Sequence, residues 1–171
     1  MPEIDMNSMG PPPTASEFYN GLYATAVEFV HSSDQEPMAP TCINHDRIRA
    51  IRSTSGFEHS WGHNYLVSIK PQLSGILDTE GFIRHMGTMT PLLESWDTII
   101  TDIFIDETKK TAVVRGSYYM VAKSAPEPIE NDLVWFLTFE QDGKRVRKSI
   151  EFIDGVASQQ LGEYIRNAMK E

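Results

Sequence analysis

Most of the features that would identify a protein at sight are missing from this sequence. Its 171 residues hold one cysteine, Cys42. No internal disulfide can form, as expected of a chain kept in a reducing compartment, and no motif around Cys42 marks a reactive thiol. Fifteen basic residues lie scattered among twenty-four acidic ones, for a net charge of -9. A nucleic-acid groove or an anionic-lipid surface needs clustered cations, so neither partner is expected. No apolar run approaches the roughly 18 residues of a membrane span. Residues 1–13 lack the basic and apolar regions of a signal peptide, so a cytoplasmic address is expected. G-x-S-x-G, a P-loop, G-x-G-x-x-G and C-x-x-C are all absent, which removes support for serine-hydrolase, nucleotide and flavin chemistry.

The remaining composition, 40% apolar and 23% charged, is that of one globular domain. Residues 1–13, ending in Pro11-Pro12-Pro13, read as a flexible tail before a single domain over 14–171. Thr14-Ala15-Ser16-Glu17 forms a capping-box pattern that opens a helix with Phe18, Leu22, Ala26 and Phe29 at helical spacing. Residues 35–64 read as irregular. They leave room for a second helix between Met38 and Ile51 that Pro37, Pro40 and His45-Asp46-Arg47 disfavour. Tyr65–Lys70 reads as a short edge strand. Asp78 or Thr79 caps a third helix carrying Phe82, Ile83, Met86 and Met89. Thr98–Ile105, Thr111–Val121, Ile129–Glu140 and Lys144–Asp154 are β-rich runs, and a last helix starts near Ser158. Helices first, then a meander of long antiparallel strands, is an α+β order with helices on one sheet face.

The Asp142-Gly143 pair predicts a two-residue hairpin turn. That register sets Asn131 opposite Asp154, Leu133 opposite Phe152 and Trp135 opposite Ile150. One face then carries Asn131, Leu133, Trp135, Leu137, Ile150, Phe152 and Asp154. As the more apolar face it belongs under the helices, with Asn131 and Asp154 as polar groups at the end of an apolar wall. Such a wall suits a small-molecule pocket, and equally a hydrogen-bonded pair closing the sheet. A three-residue loop would instead turn Asp132 and Glu151 inward. In the earlier hairpin Arg115 falls opposite Asp102, as a cross-strand ion pair.

The densest cluster of chemically useful side chains is Gly56–Tyr65. It holds Glu58, His59, Trp61 and His63, and histidine is suited to proton transfer near neutral pH. His59 and His63 with Glu58 have a superficial zinc spacing, but the segment lacks helical periodicity and no further ligand set accompanies it, so no metal is assigned. The same histidines equally fit a loop that closes the core. His85 reads as a surface histidine beside core methionines.

Four segments, Gly56–Asn64, Pro91–Trp96, Glu130–Trp135 and Ser149–Asp154, together resemble the SnoaL-like branch of the nuclear-transport-factor-2-like superfamily. The similarity is greatest to fungal members from polyketide and meroterpenoid pathways. It covers residues 15–165 and implies a cone-shaped, cystatin-like curved antiparallel sheet packed on N-terminal helices around an open apolar pocket. It also implies a homodimer formed through the sheet and a cofactor-independent isomerase or cyclase working by acid–base catalysis. Relatives of this type carry a base after the second helix, here within Glu58–His63, or a carboxylate on a late strand, here Asp154, Asp132 or Glu151. Glu58, His63 and Asp154 are therefore the expected catalytic groups. Arg52, His59, Trp61, Tyr118, Asn131 and Trp135 are expected to bind an apolar substrate. A dehydratase, or a non-catalytic carrier or dimerisation module, are the alternatives on the same fold.

Overall fold

In this computed structural model, residues 10–36, 39–123 and 125–168 are described. Residues 1–9, most of the expected tail, lie outside them. Helix α1, Glu17–His31, is capped two residues later than expected: Ser16 Oγ, not Thr14, accepts from the backbone N–H of Tyr19. This satisfies one of the N–H groups that a helix start leaves unpaired. Leu22, Ala26, Phe29 and Val30 form its buried stripe. A small hairpin of β1, Gln35–Glu36, and β2, Ala39–Ile43, leads into α2, His45–Ile51, capped by Asn44. The second helix is therefore short and lies at the end of its expected window.

Strand β3, Glu58–Trp61, is followed by α3, Asn64–Ile69, where the short apolar run Tyr65–Lys70 reads as an edge strand. Tyr65 and Ile69 point to solvent, so that apolar run does not mark a half-buried strand. Asp78 caps α4, Thr79–Met89, as expected, through its side chain and the Gly81 N–H. Four strands follow: β4, Leu93–Asp106; β5, Thr111–Ala122; β6, Ile129–Phe139; and β7, Val146–Ile153. Helix α5, Gly155–Ala168, ends the described chain.

The sheet order is β3-β7-β6-β5-β4, antiparallel except that β3 joins β7 in parallel. Register irregularities at the start of β4 and at its middle, between Ile100 and Asp102, bend it. Gly116 allows a close approach there: a Cβ would stand 2.7 Å from the Ile99 carbonyl oxygen. The concave face carries Val114, Tyr118 and Met120 of β5 and Leu133, Trp135 and Leu137 of β6. It packs against α1, α2, α4 and α5 in one apolar cluster.

The expected register holds at the turn and fails beyond it. Only Gly143 has positive φ, so the turn is not the two-residue type with both central residues left-handed. Phe139 pairs with Val146, as expected. The ladder then shifts, and Thr138 pairs with Lys148, leaving Arg147 as an extra residue. Every later β7 side chain changes face. Trp135 opposes Glu151, not Ile150, and Val134 opposes Phe152. The inward set of β6 stands as expected. On β7 the inward set is Ser149, Glu151 and Ile153, while Phe152 packs outside over Gly62. Asp102 does lie opposite Arg115, whose other amino group reaches Asp132 at 2.9 Å.

Candidate active site

A cavity of about 270 Å³ opens between the concave face and the helices. Phe82 and Met86 of α4, Trp96, Leu133, Trp135 and Leu161 supply much of its apolar wall. Lys70, Gln72 and Thr88 mark the mouth, where the lining becomes exposed.

Its polar groups come from elements that meet only in the fold. The parallel pairing of β3 with β7 sets His59 beside Ser149 and Trp61 beside Glu151. His59 Nδ1 and Ser149 Oγ are 2.8 Å apart. His59 Nε2 stands 3.6 Å from Glu151 Oε2, too far for a hydrogen bond. Trp61 and Phe82 meet the His59 ring edge to face, at centroid distances of 4.6 and 5.0 Å. Burial drives the His59 pKa down to about 3, helped by the nearby Arg52 cation. The ring is therefore neutral at physiological pH.

Glu151 has only 12% of its side chain exposed, and its carboxyl makes no hydrogen bond among the described residues. Desolvation raises its pKa to about 7, against the opposing pull of Arg52. A carboxyl so placed is ready to give or take a proton at neutral pH.

Arg52, at the end of α2, is 1% exposed. It donates to Ser32 Oγ and the Ile48 carbonyl at 3.1 and 3.0 Å. Its guanidinium lies over the rings of Phe29, Phe57 and Phe82 at 4.6, 5.1 and 4.5 Å. Such contacts favour a cation that has left water. Arg52 lines the cavity, and among the described residues no carboxylate lies within salt-bridge distance of it. Burial lowers its pKa to about 9, which leaves it charged at neutral pH.

Tyr118 sits between Trp96 and Trp135 at centroid distances of 4.8 and 5.5 Å, and burial raises its pKa well above that of a free phenol. Asn131 lines the cavity but is engaged in structure: it donates to Ser158 Oγ at 3.0 Å and accepts from the Asp154 N–H at 3.1 Å. The sequence-expected binding residues Arg52, His59, Trp61, Tyr118, Asn131 and Trp135 thus converge on one cavity.

The three expected catalytic groups do not. Glu58 is exposed and alternates with His59 to the far side of β3. His63 is exposed, left-handed at φ 58°, and rests its ring against Phe152 on the outer side. Asp154 is exposed and caps α5, accepting from the N–H groups of Val156 and Ala157. The displaced β7 register puts Glu151 opposite Trp135, where Ile150 was expected, and so turns a carboxyl into the cavity. His85 also lines the cavity, against Trp61 at 4.7 Å, with its pKa lowered by burial. The sequence offered Glu151 as an alternative tied to loop length and as one of three late-strand carboxylates that the resemblance implied, and His85, read as a surface histidine, carried no local signal. No cluster of metal-binding side chains is found among the described residues, and no helix there is long and apolar enough to cross a membrane.

No protein-family model matches this sequence, and no curated protein does. Solved structures match it over most of its length. PrhC from Penicillium brasilianum is 19% identical with a TM-score of 0.70, over 89% of this chain and 92% of that one. The BvnE pinacolase from Penicillium brevicompactum is 17% identical with a TM-score of 0.68, over 88% and 94%. A Jannaschia protein named as a SnoaL-like polyketide cyclase is 12% identical with a TM-score of 0.65, over 88% and 96%. With the curved sheet, the helices on its concave face and the cavity between them, these likenesses show that the chain has the SnoaL-like α+β cone fold.

Proposed function

We propose that this protein is an isomerase or cyclase that moves protons on an apolar, oxygenated small molecule, of the polyketide- or terpenoid-derived kind made in secondary metabolism. The observation that carries the proposal is Glu151: a carboxyl facing an apolar cavity, without a hydrogen-bond partner, with its pKa near neutrality. A pure carrier would have its polar groups paired with one another. Asn131 is paired in that way and Glu151 is not. The names of BvnE, a pinacolase, and of the Jannaschia cyclase support rearrangement or ring-closing chemistry on this fold.

In the proposed reaction the Glu151 carboxylate takes a proton from a carbon beside a carbonyl, and an enolate forms. The Arg52 charge stabilises the negative oxygen across the low-dielectric cavity, where such fields act strongly. Returning the proton at another position isomerises the substrate, whereas attack of the enolate carbon on a second carbonyl closes a ring. The proton taken is the proton returned, so the balance needs no electron carrier. Exclusion of water by Trp61, Trp96 and Trp135 protects the enolate.

The test is deuterium uptake from D₂O into apolar enolisable ketones, followed by mass spectrometry. Wild type should catalyse exchange and Glu151→Gln should not. Equal exchange by both would refute the assignment, and binding without exchange by wild type would favour the carrier.

We also propose that two copies pair through the outer sheet face. Phe104, Val113, Phe136 and Ile150 form one cross-strand row there, with Phe104 66% and Phe136 46% exposed. Apolar rows left open to water suit a partner surface. Sedimentation should give a dimer for wild type and a monomer for Phe136→Glu.

A further inference from the structure

Ser149 is fully buried, and its hydroxyl has a single partner among the described residues, Nδ1 of His59 at 2.8 Å. A buried hydroxyl hydrogen needs an acceptor. Ser149 therefore donates to Nδ1, which places the hydrogen of the neutral ring on Nε2. That nitrogen is buried and has no hydrogen-bond partner. Oε2 of Glu151 stands 3.6 Å from it, a gap that a small rotation of the carboxyl closes. Trp61 and Phe82, edge to face with the ring, hold its plane. The parallel β3–β7 ladder fixes the spacing, since His59 pairs with Ser149 and Trp61 with Glu151.

We infer that Ser149 and His59 form a positioning arm that offers an Nε2–H to the carboxylate form of Glu151. His59 acts through Glu151 and not on the substrate, so it is a positioning residue. The inference rests on Glu151 being the proton carrier. When Glu151 gives up its proton, the carboxylate gains a donor aimed from a fixed ring. When the substrate returns the proton, that contact opens again. No bond other than that of the transferred proton is made or broken. The other charged or titratable groups around the carboxyl are Arg52 from the end of α2, which favours the carboxylate, and the neutral Tyr118 of β5. His85 of α4 and Lys70 after α3 complete the cavity's titratable lining.

The test is NMR of the isotope-labelled, ligand-free full chain from about pH 4 to about pH 9. It needs no substrate, so its outcome is independent of the deuterium-uptake result. Nitrogen shifts should show His59 neutral, with its hydrogen on Nε2, throughout the neutral range. Ser149→Ala should release a mixture of tautomers, and Ser149→Thr, which keeps the hydroxyl, should restore one. The Glu151 acid constant should fall about tenfold in His59→Leu, where a donor to a charged group is lost, and stay within roughly threefold of wild type in His59→Gln, which keeps a donor. A wild-type ring with its hydrogen on Nδ1 would overturn the inference, as would an unchanged Glu151 acid constant in His59→Leu. If His59→Leu does not fold, the Ser149→Ala tautomer and acid constant decide.

Discussion

Two sets of the same residue types lie on opposite sides of one edge of the sheet. His59 and Glu151 face the cavity, buried among Trp61, Phe82 and the Arg52 cation. His63 and Glu58, close by in sequence, face water. Inside, burial moves the histidine down and the carboxyl up, so that around pH 7 the histidine is neutral and the carboxyl is poised between its two forms. The proton affinity of these side chains is therefore a property of their direction as much as of residue type.

The sharpest way to break this contrast is paired mutation. Glu151→Gln should lower turnover by about 100-fold or more, the usual contribution of a general acid–base group. Glu58→Gln and His63→Ala should change it by less than about threefold, as expected of residues away from the chemistry. Steady-state kinetics on one substrate decides, and the reverse pattern would return the site to the rim.

Arg52→Met tests the cation next. Methionine can fill the phenylalanine cage, and replacing a buried charge with an apolar group is often tolerated. Arg52 holds the Glu151 pKa down, so its loss should raise that pKa further above the present value of about 7. The activity–pH curve should shift to higher pH, with the ionised fraction at pH 7, and turnover with it, down by roughly fivefold if the shift is near one unit.

The two buried groups also predict a distinctive stability profile. Glu151 has a folded pKa of about 7 against an ordinary 4.5, so its contribution is fully present below 4.5 and lost as pH rises through 7. His59 has a folded pKa of about 3 against an ordinary 6.5, so its contribution is present above 6.5 and lost as pH falls toward 3. Between pH 4.5 and 6.5 the slopes oppose and cancel. Glu151→Gln should remove one of them, leaving stability that rises by about 1.4 kcal/mol per pH unit across that window. Urea denaturation at stepped pH would measure it, and a flat profile in the variant would count against a buried neutral His59.

The smallest effect is at the rim. Asp154→Ala removes the cap of α5 and should cost about 1 kcal/mol of stability with turnover unchanged. Thermal melts alongside the kinetic assay would check both halves.

Much of the architecture is legible from local pattern. The alternation Asn131, Leu133, Trp135, Leu137 gives the inner face of β6, and Asp78 announces α4. The candidate site is only half legible. The aromatic and polar binding residues can be named, because large apolar side chains and a lone Arg near them have few other places to go. The carboxylate cannot be chosen, because Lys144–Lys148 contains one apolar residue, Val146, and so does not specify its own register. The extra residue Arg147 then turns Glu151 in and Phe152 out. Glu58–Trp61 is too short and polar to read as a strand, and is one because β7 offers it a partner edge.

By itself the sequence determined an α+β chain with four long strands, capped helices and one apolar wall, since propensity, capping and alternation act within a few residues. Tertiary structure alone decided which acid and which histidine face that wall. A bulge and a parallel partner strand are relations between distant segments, and a shift of one residue in either reverses every side chain that follows.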